Sequence, residues 1–401
     1  MEIFSPLPSE TRCQLDSIPA LIDKTFPLPG RFRSALPANV AELSRLLTSG
    51  RGERSLSYMG RPPLLSAYLR YFLPWNLYRL CRLLPSLDIP LAANDHITDL
   101  GCGPLTFVSA LWLCRPDLRE LPLEFRCIDR SGPALEAGKQ FFFALAGEGS
   151  LWKIHTIKGG LDTARTKSAS LVCAVNVCNE IYGDISHHDS TALRHCAEKI
   201  ARLLDGYATA AASILVVEPG LPRCGEFISL LRVALMERNR FPVSPCPHNG
   251  DCPLPGAGSR TGKSRWCHFA FETTDAPQAL HKLSALAGIP KERAVLSFLL
   301  TGTAVKNAAQ FTAQQSAAQQ SAAQCSTTQK IPLRIISDAF PLPQHRWGRY
   351  ACSGQGLVLA AGENVKDAAS GTLADAVFTT GERDQRSGAL IAHIDTVPSI
   401  P

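Results

Sequence analysis

Two regimes of apolar spacing divide the chain. Over residues 1–90 the spacing is helical: Val40, Leu43, Leu46 and Leu47 share one helix face ahead of Gly50, and Tyr68 to Leu84 continues the pattern with a break predicted at Pro74. From His96 onward, short apolar runs alternate with helix-length segments, and strands are predicted at 96–100, 124–129, 152–157, 171–177 and 213–218. Strands apolar on both faces and separated by helices imply an α/β fold with a doubly wound parallel sheet. After Pro219-Gly220 the spacing predicts a helix over 226–238, a Cys-, Pro-, Gly- and His-rich stretch over 241–269, a helix over 277–286 and an apolar strand over 294–300. Residues 306–330 are rich in Ala, Gln and Ser and repeat Gln-Gln-Ser-Ala-Ala, with too little apolar surface to fold. They read as a flexible insert. Strands at 334–336 and 356–360 are expected to complete the sheet domain, and 363–401 to form a loosely ordered tail.

Composition narrows the class. The 401 residues are 45% hydrophobic, enough for a real core and for two to three domains. The 41 Lys and Arg against 35 Asp and Glu leave a charge of +6, which permits an RNA partner without requiring one. The most apolar early region, Leu64 to Leu87, is interrupted by Arg70, Arg79 and Arg82, so no membrane span is expected. Glu2, Glu10, Asp16 and Asp23 contradict a secretory signal or mitochondrial presequence, and a cytoplasmic location is expected. Fourteen cysteines at irregular spacing read as free or metal-bound thiols rather than a disulfide framework. Cys127 and Cys173 sit in apolar runs, where cysteine acts as a small buried hydrophobe.

Two stretches carry chemistry. Asp99-Leu100-Gly101-Cys102-Gly103-Pro104 places two glycines directly after the first predicted strand, where the backbone must turn tightly and approach a ligand. A dinucleotide fingerprint would have a third glycine where Thr106 stands, so the loop favours S-adenosylmethionine over NAD. Asp129 ends the second strand, where a carboxylate accepts both ribose hydroxyls, and Asp99 either supports the loop or reaches the methionine amino group. After the fourth strand, Asn179, Glu180 and Tyr182 are candidates for substrate contact, although Glu180 serves equally well as a helix cap. The Asp/Asn-Pro-Pro-aromatic signature of base amino-methylation is absent there. The second stretch holds Cys246, His248, Cys252, Cys267 and His268 in Pro- and Gly-rich loops, a pattern that wraps a metal; Cys352 is the best distant fourth ligand. Spacing alone leaves zinc and an iron-sulfur cluster both open. Arg232, Arg238, Arg240, Arg260, Lys263 and Arg265 flank this loop and are expected to form a basic face for RNA phosphates.

Together, Ala67-Tyr68-Leu69-Arg70-Tyr71, the glycine loop, Val217-Glu218-Pro219-Gly220, Pro245-Cys246-Pro247-His248 with Cys252-Pro253, Trp266-Cys267-His268-Phe269, and Arg334-Ile335-Ile336 followed by Cys352 resemble the Rsm22 family of ribosomal small-subunit methyltransferase-like proteins. The resemblance spans about Ser55 to Leu359. It implies a class I methyltransferase (Rossmann-like) domain over 91–305 with a Cys-rich metal-binding insertion at 241–269, preceded by the helical region 1–90, with strands over 331–362 completing the domain beyond the insert. It further implies a [4Fe-4S] cluster on Cys246, Cys252, Cys267 and Cys352, and S-adenosylmethionine contacts at Asp99, Gly101, Gly103 and Asp129. The implied partners are the small ribosomal subunit and its RNA, with no DNA expected. Three functions follow: methylation of ribosomal RNA, a non-catalytic assembly factor using the fold as an RNA-docking scaffold, or a zinc-containing small-molecule methyltransferase.

Overall fold

Pro74 does not break the helical run in which it stands. The computed structural model describes residues 2–48, 58–186, 189–256, 265–303, 330–343, 345–378 and 381–394. Its N-terminal region holds α1 (Ser9–Thr25), α2 (Gly30–Arg33), α3 (Leu36–Leu47), α4 (Pro62–Ala67), a π-helical turn at Tyr68–Phe72 and α5 (Leu73–Leu83). Pro74 stands just after the π-helical turn, whose altered hydrogen-bond register lets the helical backbone continue past it into α5.

Five parallel strands follow, β1 (His96–Leu100), β2 (Glu124–Asp129), β3 (Lys153–Lys158), β4 (Ala169–Val175) and β5 (Ala208–Pro219). They alternate with α6 (Thr106–Cys114), α7 (Gly132–Ala146), the short α8 (Cys178–Ile181) and α9 (Ser190–Asp205). Then come α10 (Pro222–Met236), β6 (Arg240–Ser244), the pairs β7 (Pro255–Gly256) and β8 (Arg265–Trp266), β9 (Phe269–Glu272), α11 (Gln278–Leu286) and β10 (Arg293–Thr303). The strand order is β3-β2-β1-β4-β5-β10-β6, with β9 also on β10. The sheet is mixed rather than all parallel, because β10 runs antiparallel to β5, β6 and β9.

One core joins the N-terminal helices, α6, α7 and α11 to one face of this sheet. A second core packs α8, α9 and α10 on the other face. The N-terminal region is therefore a layer of the sheet domain, not a separate body. Cys127 and Cys173 are fully buried in it, as their apolar neighbours predict.

The C-terminal strands depart from expectation. Instead of completing the sheet, β11 (Lys330–Ile335), β12 (Phe340–Pro341), β13 (Trp347–Ser353), β14 (Gly356–Gly362), β15 (Leu373–Val377) and β16 (Leu390–His393) form a sheet of their own. Because β11 pairs with both β15 and β13, the order β11-β13-β14-β16-β15 closes on itself, with β14 and β16 parallel. This is the order of a five-stranded OB barrel. Leu333, Ile335, Ala351, Val358, Ala360, Ala374 and Ala376 fill it. Residues 363–394, expected as a loose tail, supply two of its strands. The insert predicted at 306–330 lies almost wholly outside the described residues.

Candidate functional site

The glycine turn after β1 has the geometry its sequence demands. Gly101 and Gly103 hold φ of +67° and +53°, and a Cβ on Gly101 would stand 2.2 Å from Cγ2 of Val177. At the end of β2, the Asp129 carboxylate accepts the backbone N–H of Gly103 at 2.9 Å and of Ser131 at 2.8 Å. Burial raises its pKa, while those hydrogen bonds oppose the shift. These residues border a cavity of about 860 Å3, within the range of small-molecule sites. Leu161 and Asp162, after β3, line it too and were missed from sequence; their only local signal is their place in the loop following a strand. Asp99 does not reach it. That carboxyl is buried beneath the turn, takes a hydrogen bond from the Cys173 thiol at 3.5 Å and leaves Oδ2 without a partner. Burial pushes its pKa to about 7.

The three candidates after β4 separate. Glu218 of β5, fully buried, accepts the N–H groups of Cys178 and Asn179 and the Asn179 side-chain amide at 2.8, 3.1 and 2.8 Å. Asn179 is thus committed to holding the loop. Tyr182 is also buried, stacked on Phe227 at 4.5 Å within the second core. Only Glu180 lines the cavity, together with Asn176, which follows β4 in a left-handed backbone (φ 55°). The opposite wall comes from the N-terminal region, through Tyr58, Met59, Tyr68 and Asn76. Tyr58 donates to Glu180 Oε1 at 3.4 Å. These wall residues were missed because nothing in the sequence ties residues 58–76 to the glycine turn.

The four cysteines singled out from sequence do come together. Cys246 follows β6, Cys252 precedes β7, Cys267 lies between β8 and β9, and Cys352 is in β13 of the barrel, yet all four border one small cavity. Burial, reinforced by the neighbouring thiols, raises Cys267 and Cys352 well above the usual thiol range. Two buried arginines border the same cavity. Arg232 donates to the carbonyls of His248 and Gly250 at 2.9 and 2.8 Å, and Arg334 to those of Pro245 and Gly371 at 2.9 and 2.8 Å. His248 Nε2 lies 3.2 Å from Cys352 Sγ, whereas His268 stacks on Trp266. Among the described residues, no group of three or more His, Cys, Asp or Glu is arranged to hold a metal ion as it stands.

Among the described residues, the basic face expected beside this loop does not form a surface. Arg232 and Arg240 are 3% and 4% exposed, the latter paired with Asp205 and with β5 carbonyls. Arg265 donates to Ser387, only Arg238 is exposed, and Arg260 and Lys263 lie outside the described residues. Exposed cations instead line the 860 Å3 cavity: Arg130, Arg165, Lys199 and Arg202.

The strand order, the glycine turn and the acid ending β2 define a class I methyltransferase fold. A model of the family described as mitochondrial small ribosomal subunit Rsm22 matches residues 97–328, more than half of the chain, and the chain belongs to that family. No curated protein matches. Similar solved structures include geranyl diphosphate C-methyltransferase from Streptomyces coelicolor A3(2), at 12% identity over 53% of this chain and 74% of that one, with a TM-score of 0.30. Another is a class I S-adenosylmethionine-dependent methyltransferase, described as putative, from Listeria monocytogenes: 10% identity, 74% and 88% covered, TM-score 0.34. A third, from Thiobacillus denitrificans with S-adenosyl-L-homocysteine bound, has 13% identity, 57% and 91% covered, and a TM-score of 0.31. At these values the fold is defined by the strand order alone. No helix among the described residues is long and apolar enough to cross a membrane.

Proposed function

We propose that this methyltransferase-like protein binds S-adenosylmethionine at the glycine turn, holds a [4Fe-4S] cluster on Cys246, Cys252, Cys267 and Cys352, and acts on the RNA of the small ribosomal subunit. The Asp129 carboxylate carries the first part. Each of its oxygens spends one lone pair on a backbone N–H, leaving the other for a ribose hydroxyl. Asp162 offers an acceptor for an adenine amino group further along the cavity. When bound, the cofactor supplies a methyl group on a sulfonium. Calorimetric titration tests this: Asp129→Ala is expected to weaken S-adenosylmethionine by about tenfold or more, the worth of a charge-assisted hydrogen bond. Unchanged affinity removes Asp129 from the site.

The metal rests on the two arginines. Neither has a carboxylate within ion-pair distance among the described residues, so the guanidinium charges call for negative charge in the cavity. Metal-bound thiolates supply it and protonated thiols do not. All four thiols border the same small cavity, and a four-thiolate set accommodates an iron-sulfur cluster, as the family resemblance implies. Anaerobic purification with metal analysis is expected to give a brown protein with iron; stoichiometric zinc without iron overturns the cluster.

The RNA part draws on the family's description and on the cations at the cavity. A second reading, an assembly factor that docks RNA without methylating it, is favoured by the missing Pro-Pro-aromatic signature after Asn176.

A further inference from the structure

We propose that Tyr68, directed by Asn76 and Arg79, holds the carboxylate at the methionine end of the cofactor, so that the N-terminal layer completes the cofactor site. The proposal rests on the cofactor reading above and adds the residues that recognise the amino-acid end. The strand order sets the direction of the ligand. Asp162 follows β3, Asp129 ends β2 and the glycine turn follows β1, and these strands are neighbours in the order β3-β2-β1. With adenine at Asp162 and ribose at Asp129, the methionine end extends over the glycine turn. Tyr68 stands there. The Cβ that Gly103 lacks would lie 4.0 Å from Tyr68 Oη, and the N–H of the same glycine donates to Asp129 at 2.9 Å. Tyr68 and Asn76 both line the cavity.

A chain of donors runs through this wall. Arg79 donates an N–H to Asn76 Oδ1. An arginine only donates, so the amide oxygen is fixed toward Arg79 and the amide N–H donors remain for the other side. The Asn76 side chain hydrogen-bonds the Tyr68 hydroxyl in turn. Burial, followed by the charges of Glu180 and Asp129, raises the Tyr68 pKa well above the usual range, opposed by Arg79 and by Asn76, so the hydroxyl keeps its proton. Its oxygen receives from Asn76 and its proton is left to donate; among the described residues no group accepts it. A donor backed by a guanidinium takes a negatively charged acceptor. The cofactor has one such group, the methionine carboxylate, whereas its sulfonium and ammonium carry the wrong charge.

Two ligands separate this proposal from the reading beneath it. Decarboxylated S-adenosylmethionine keeps the adenosyl group, the sulfonium and the amine and lacks only the carboxylate. Calorimetry on the full chain is expected to show S-adenosylmethionine at least about tenfold tighter than the decarboxylated ligand, as one charge-assisted hydrogen bond implies. Tyr68→Phe is expected to weaken S-adenosylmethionine by about tenfold while leaving the decarboxylated ligand within about twofold, the unchanged affinity reporting an intact fold. Asn76→Asp still accepts from Arg79 but turns the Tyr68 proton inward, and is expected to lose the preference as well. Equal affinities in the wild type, a preference that survives either variant, or a parallel loss of both ligands overturns the carboxylate assignment but not the cofactor reading. Binding of neither ligand by the wild type overturns both.

Discussion

Asp99 and Glu218 are carboxyls that the fold buries without an ion-pair partner among the described residues, and burial pushes each to a pKa of about 7. In the unfolded chain both titrate near 4. Folded pKa values raised above the unfolded ones stabilise the protein below pH about 4, and this contribution is lost as pH rises to about 7. Asp99→Asn removes its share of the loss. The variant is expected to gain stability relative to wild type between pH 4 and 7, by a few kcal/mol at about 1.4 kcal/mol for each tenfold change in proton affinity, and then level off. Thermal melts across that range check it, and a difference independent of pH would show that Asp99 is ionised in the fold. The role of Asp99 was half legible. Its place before the glycines marks the loop, but whether a carboxyl there faces the ligand or the core depends on what covers it, here Cys173 from a strand far along the chain.

At the scale of elements, what repeats locally was legible and what meets at long range was not. The strands β1 to β5 follow from apolar runs between helix-length segments, and the cysteine loop from thiols among prolines and glycines. The barrel was hidden because its core is largely alanine and its first strand stands beyond the insert, so its pairings leave no periodic mark. Charge misled for a related reason. Arg232 and Arg240 look like surface cations in sequence, yet both are buried and donate their N–H groups to backbone carbonyls of adjoining segments. Arg334 shows what such burial serves. With β11 alternating Leu333 and Ile335 into the barrel, Arg334 faces the thiols. On the proposed metal reading, Arg334→Met removes one of the two charges that would balance thiolate ligands, so metal per chain is expected to fall by about half or more, with Arg334→Lys retaining part of it. Equal metal content in both variants would mean that Arg334 serves only the carbonyls of Pro245 and Gly371.

Over the whole molecule, the thiol site is the joint between two folding units. Three of its cysteines belong to the methyltransferase domain and the fourth to the barrel, where Cys352 faces outward while its neighbour Ala351 faces in. Ile336 and Cys352 join the main core beside Phe269 and Phe298, with Tyr350 and Leu357 packed against it. The side of β13 and β14 that takes a ligand in barrels of this order is thus turned onto the methyltransferase domain. Further contacts among the described residues hold the pair, among them Arg334 with the Pro245 carbonyl at 2.9 Å, Arg293 with Asp338 at 2.6 Å and Arg265 with the Ser387 carbonyl at 2.8 Å; the Arg293 pair is half exposed and contributes about 0–1 kcal/mol. On the proposed reading, metal bound across the joint would add to docking, since its binding energy is also folding energy. Cys352→Ser is expected to lose most of the brown colour and to speed amide exchange both in residues 246–256 and in β13 and β14, with exchange in β1 to β5 unchanged. Cys325→Ser, in the predicted insert, is the matched control and is expected to change neither. If Cys352→Ser keeps its iron, Cys352 is not a ligand; if the barrel stays as protected without the metal as with it, packing and hydrogen bonds across the joint hold the two units together without it.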